Sequence, residues 1–141
     1  MTHNHYRLLF AVSLGSTILM LLLPGNCMET LQNLFKGLLF WDPPTRLTPD
    51  SLPADKLVHC SMFALCGYLL VKGWTPRAAQ LLWPALLLFT TGLVTELLQA
   101  FLPGRSMEAS DMLANTLGAA AGMALACGML RREKTKAANH S

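Results

Sequence analysis

The sequence predicts an all-α integral membrane protein with four transmembrane helices, and three observations carry that prediction. Hydrophobic residues make up 52% of the chain and charged residues only 13%, about half the ~25% charged content of soluble domains. The apolar residues gather in blocks separated by polar or proline-rich breaks. Basic residues sit at the block ends, where membrane topology puts them. The 141 residues suit a single domain. A net charge of only +3, held at segment ends, excludes nucleic-acid binding.

The first span covers residues 8–23 and stops at Pro24-Gly25, near the lower end of the roughly 17–25 residues that cross a bilayer. An uncleaved span is expected rather than a signal peptide, because no small-x-small cleavage site follows it. Cys27 is not read as a lipidation site, since Pro24-Gly25-Asn26 lacks the small residue expected beside one. Cys60, Cys66 and Cys127 lie in apolar stretches and read as small buried hydrophobes. Residues 28–41 place Met28, Leu31, Leu34, Phe35, Leu38 and Leu39 at helical spacing, with Glu29, Gln32, Asn33 and Lys36 off that stripe. This is an interfacial amphipathic helix anchored by Trp41, with a packed extramembrane helix as the alternative. Pro43, Pro44, Pro49 and Pro53 then impose an extended loop.

The second span is expected over residues 55–71 and the third over 77–102, opened by Thr75 as cap and Pro76 in the first turn. Pro84 should bend the third helix or mark a break in it. Pro103-Gly104 ends it. The fourth span covers 111–130, and residues 131–141 form a basic, disordered tail.

Basic residues set the orientation. With both termini in the cytoplasm, that side carries Arg7, Lys72, Arg77, Arg131, Arg132, Lys134 and Lys136, while Lys36, Arg46, Lys56 and Arg105 spread over longer outer loops. Four spans then bring Asp55, Lys56, His59, Glu96, Gln99, Arg105, Asp111 and Asn115 to one outer face. Ionisable groups at membrane depth cost roughly 2.5–3.5 kcal/mol at a helix centre, so they mark a functional site by default.

Spacing organises these residues further. Asp55 and His59 are four apart, and Glu96 and Gln99 three apart, so each pair shares a helix face. Asp111, Asn115, Gly118 and Gly122 form one stripe, polar above and bare below, and Gly118 and Gly122 make a small-xxx-small helix-packing surface. Bland roles are available for most of them. Asp55 and Asp111 suit helix starts, Lys56 and Arg105 suit snorkelling, and Gln99 and Asn115 suit interhelical glue. Glu96 resists most, since it would lie six residues inside its span and needs a partner, Arg105 or His59. A histidine and two carboxylates are the usual parts of an acid/base site, so Glu96, His59 and Asp111 are the candidate catalytic residues. Arg105, Lys56, Gln99, Asn115 and Asp55 are the candidate ligand-binding residues, the cations suited to a phosphate. His59, Glu96 and Asp111 are also compatible with zinc or a harder divalent ion, but no spacing motif demands one, and no metal or cofactor is assigned. No serine or cysteine stands out as a nucleophile.

The ordered set Asp55-Lys56-x-x-His59, Glu96-x-x-Gln99, Arg105, Asp111-x-x-x-Asn115-x-x-Gly118 resembles the VanZ-like family of bacterial membrane proteins over residues 55–122. Cys60 departs from the aromatic often found after the histidine, which bears on packing alone. The resemblance implies a polytopic protein of the bacterial cytoplasmic membrane linked to the cell envelope. The family's namesake is associated with resistance to the glycopeptide teicoplanin, and no reaction is implied. The expected function is binding, and beyond that modification, of an anionic envelope lipid or lipid-linked glycan in an outer polar pocket. The alternative is a non-enzymatic scaffold or partner-docking protein whose polar cluster is structural. A transporter is disfavoured, because the charges crowd at one face.

Overall fold

The computed structural model describes residues 2–27, 30, 54–74 and 81–139, and all its regular elements there are helices. They are α1 (His3–Leu21), α2 (Ala54–Trp74), α3 (Leu82–Gln99) and α4 (Ala109–Ala138). The amphipathic helix expected over 28–41, the proline loop, and the Thr75-Pro76 start lie outside the described residues.

Local chemistry explains the ends. α1 follows Thr2, whose extended backbone presents its carbonyl to the amides of His5 and Tyr6. It closes where Leu22 and Leu23 bond back to Ile18 and Met20, just before Pro24. α3 begins at Leu82, so Pro84 falls in its first turn, where the amide a proline lacks has no helical partner to lose. The expected bend at Pro84 is therefore corrected to a helix start. α3 also ends at Gln99 rather than near residue 102, which leaves Glu96 about 4.5 Å of helical rise from its end. The connection to α4 turns at Gly104, whose φ of +72° suits a residue without a Cβ.

α4 corrects the expected tail. It continues beyond residue 130 to Ala138, through residues of good helix propensity such as Arg131, Arg132, Glu133 and Lys134. Cations in a last turn also complement the helix dipole. Glu133 fastens this extension to α2 through Lys72, Nζ to Oε1 3.0 Å.

α2 is the central helix, packed most extensively on α4 and next on α1, while α3 leans chiefly on α4. Gly118 and Gly122 make the α2–α4 approach possible, since a Cβ at either would strike the backbone carbonyls of Cys60 and Ala64. Gly67 repeats the device from α2 against Ala119. Phe10, Leu21, Phe63, Cys66, Leu69, Leu70, Leu88 and Ala119 form the apolar core.

The outside is as apolar as the inside. Leu8, Leu19, Leu65, Trp83, Leu117 and Leu125 are all exposed, while His59, Glu96, Gln99, Asp111 and Asn115 are buried. A water-soluble bundle sorts its residues the other way. Among the described residues, three helices are long and apolar enough to cross a membrane, Lys56–Trp74, Leu82–Gln99 and Ala109–Ala138. α1 is not among them, so the count is three candidate spans where four were expected. Its first turns carry His3, Asn4, His5 and Arg7, which dilute its hydropathy. Even so, α1 runs antiparallel to α2 from end to end. Arg7 Nε donates to the Gly73 carbonyl at one end of the pair, and the Leu21 carbonyl lies at the polar end.

Candidate functional site

The polar end of the bundle collects the C-terminal ends of α1 and α3 and the N-terminal ends of α2 and α4. His59 sits in the second turn of α2, Glu96 and Gln99 in the last turn of α3, and Asp111 and Asn115 in the first two turns of α4. All five are at most 5% exposed. Asp55 lies on α2, but its side chain is outside the described residues.

His59 and Glu96 meet through Asn115. His59 Nδ1 lies 3.1 Å from Asn115 Oδ1 and 3.6 Å from Glu96 Oε1, and Asn115 Nδ2 donates to the same Glu96 oxygen at 3.5 Å. The carboxylate fixes the amide's orientation, since only the NH₂ can face it. The amide carbonyl then faces His59 Nδ1, which donates to it in the tautomer that carries its proton there. Gly92, one turn before Glu96, gives Asn115 its room, because a Cβ there would come within 3.3 Å of Asn115 Cβ.

Glu96 is only half satisfied. It is 0% exposed, and its Oε2 has no hydrogen-bond partner. The Glu108 backbone N–H faces this carboxylate without making a hydrogen bond to Oε2. Arg105, one of the two partners expected for Glu96, turns elsewhere and donates from Nε to the Leu23 carbonyl at 3.3 Å. Gln99 likewise leaves the cluster, donating to the Leu21 carbonyl at 2.8 Å. Both bonds tie the end of α1 to the α3–α4 region, and Gly25 N–H to the Pro103 carbonyl adds a third.

Lys56 forms the outer rim. Its Nζ donates to Glu108 Oε2 at 2.9 Å, Ser110 Oγ at 2.7 Å and Asp111 Oδ1 at 2.9 Å. An ammonium has three protons, so Lys56 is fully engaged. The hydrogen bond from Lys56 holds the Glu108 carboxyl below the usual glutamate value. Glu108 and Ser110 were not singled out from sequence. They lie more than fifty residues from Lys56, so no local spacing signals the contact; only the convergence of two helix starts does.

Among the described residues, two apolar grooves run along the bundle sides. One of about 430 Å³ between α1 and α2 is lined by Leu9, Val12, Thr17, Met62, Leu65 and Leu69. The other, about 240 Å³, lies between α3 and α4 beside Phe89, Thr116 and Met123. Neither reaches the His59–Glu96–Asp111 group.

Apolar helices that hide ionisable groups at one end define a polytopic membrane-protein class. The VanZ/LLP1 family profile matches residues 5–131, and the chain belongs to that family. The match includes α1, which the polar motifs read from sequence left out. No curated protein and no solved structure matches the chain.

Proposed function

We propose that this protein binds an anionic envelope lipid, or a lipid-linked glycan, at the polar end of its bundle, and that His59, Glu96 and Asp111 carry out proton work on it. The observation that carries this reading is the burial of these three ionisable groups together, at most 5% exposed, with Glu96 Oε2 unpaired. Buried ionisable groups of this kind are expensive, and in a membrane protein function is their default explanation. Arg105 is the phosphate contact. It is half-buried beside exposed Phe101 and Met107, a mixture suited to a charged headgroup with acyl chains alongside. Lys56 acts indirectly, holding Asp111 while Glu108 neutralises it. A phosphate reaching Lys56 must first displace Glu108. Asn115 orients the group, while Gln99 anchors the end of α3 to α1.

In this reading α1 is the fourth span, because it matches α2 in extent and is tied to its neighbours at both ends. The basic end, with Arg7, Lys72, Arg131, Arg132, Lys134 and Lys136, faces the cytoplasm, as does each terminus. The polar end opens on the outer face of the bacterial cytoplasmic membrane. The test is to measure lipids retained by purified protein, using native mass spectrometry on wild type and Arg105→Ala in mixed anionic and zwitterionic lipids. Selective loss of anionic lipid in the variant is expected, and equal retention of every anionic lipid would sink the proposal.

The scaffold reading has one specific observation in its favour, since most of these polar atoms satisfy one another. It requires that Glu96→Gln weaken the fold without a separate defect.

A further inference from the structure

The polar end also holds a chemistry that does not rest on the lipid reading. One ring nitrogen of His59 and one carboxylate oxygen each from Glu96 and Asp111 lie within 4.8 Å of one another, and all three residues are buried. Nitrogen and oxygen ligands sit about 2.0–2.2 Å from a zinc-like ion, so donors opposite or beside one another around it are about 3–4 Å apart. The three donors come from α2, α3 and α4, whose mutual positions are fixed by the glycine contacts of Gly118, Gly122 and Gly92.

A second observation is independent of this convergence. Glu96 Oε2 is fully buried and has no hydrogen-bond partner. A buried acceptor without a donor costs about 1–3 kcal/mol, and more when charged. A cation among the three side chains supplies the missing partner. The remaining contacts have the form of an outer shell, which orients ligating carboxylates. Asn115 Nδ2 holds Glu96 Oε1, and Lys56 Nζ holds Asp111 Oδ1. Charge points the same way. Lys56 balances one of the two charges of ionised Asp111 and Glu108, and an ionised Glu96 beside Asp111 brings to two the negative charge that a divalent ion can balance.

We infer that His59, Glu96 and Asp111 bind a divalent cation of the zinc class. Imidazole with carboxylates suits borderline first-row ions, and no thiol takes part. The site therefore differs in kind from any the four free cysteines offer.

The experiment uses the full-length protein in detergent, with no lipid added. It is stripped with a chelator, dialysed against zinc, and analysed for metal content and thermal midpoint. Wild type should hold about one zinc per chain and gain stability from it. Glu96→Gln and Asp111→Asn should each weaken zinc binding at least about tenfold and lose the zinc-dependent rise in midpoint. Cobalt loaded into wild type gives a reading that needs no variant, since d–d bands without thiolate charge transfer are expected. The inference is overturned if stripped wild type takes up no zinc, if Glu96→Gln binds it as well, or if cobalt shows thiolate charge transfer.

Discussion

At the residue scale, Lys56 and Glu96 show two ways of keeping a charge inside an apolar bundle. Lys56 is surrounded by acceptors, with Glu108 and Asp111 each at 2.9 Å, and the arrangement meets solvent through Glu108, Ser110 and the partly exposed Lys56 itself. Because the bonded Glu108 carboxyl lies below its ordinary value of 4.5, its contribution to stability is present above that value. It is lost as pH falls through the lower folded value. Thermal midpoints measured in detergent from pH 7 downward should therefore drop more for wild type than for Glu108→Gln, and parallel curves would contradict the contact. Glu96, by contrast, has one asparagine and one histidine at a single oxygen and the Glu108 backbone N–H facing the carboxylate. Sequence spacing brings out Glu96 as the residue hardest to explain by capping or snorkelling. It could not show the unpaired oxygen, because partner geometry depends on three helices at once.

At the element scale, the α2–α4 seam sets the position of every polar donor above it. Gly122 faces the Ala64 backbone, which cannot move aside as a flexible side chain can, whereas a Cβ at Gly128 meets nothing within 4 Å. Gly122→Val should cost about 1–3 kcal/mol or more through overpacking. Gly128→Ala should be neutral or stabilise by up to about 1 kcal/mol. Equal thermal midpoints for the two variants would show that the seam is not tight. The glycine repeat was legible as i, i+4 spacing, but Gly67 and Gly92, each alone on its helix face, were not. Helix ends were legible to within two or three residues where proline and glycine punctuate, as before Pro24-Gly25 and Pro103-Gly104. They were misread where propensity decides, as in the basic stretch after Leu130. At Pro84 a bend and a break both stayed open, because a proline in a first turn and one in a helix interior look alike until the start is known.

At the scale of the whole molecule, the sequence pattern predicted membrane helices and one shared polar face from block lengths and charge alone. The family resemblance, read from residues 55–122, is borne out over residues 5–131. The fourth span was less legible, since α1 mixes span length with a polar beginning. Reporter fusions settle it. Fusions after residue 138 and within residues 75–80 should report the cytoplasm, and fusions within residues 42–50 the outside. A fusion in 42–50 that reports the cytoplasm would remove α1 as a span.

The central claim is that the buried group at the polar end serves a ligand rather than the fold. Glu96→Gln separates the two most directly, because it keeps the shape of the side chain and removes its buried charge. In chelator-treated protein, the affinity for anionic lipid and the thermal midpoint are measured on the same preparation. The account predicts affinity changed at least about tenfold with a midpoint equal to or above wild type, since an unpaired buried charge opposes folding. Unchanged lipid affinity with a lowered midpoint would contradict it.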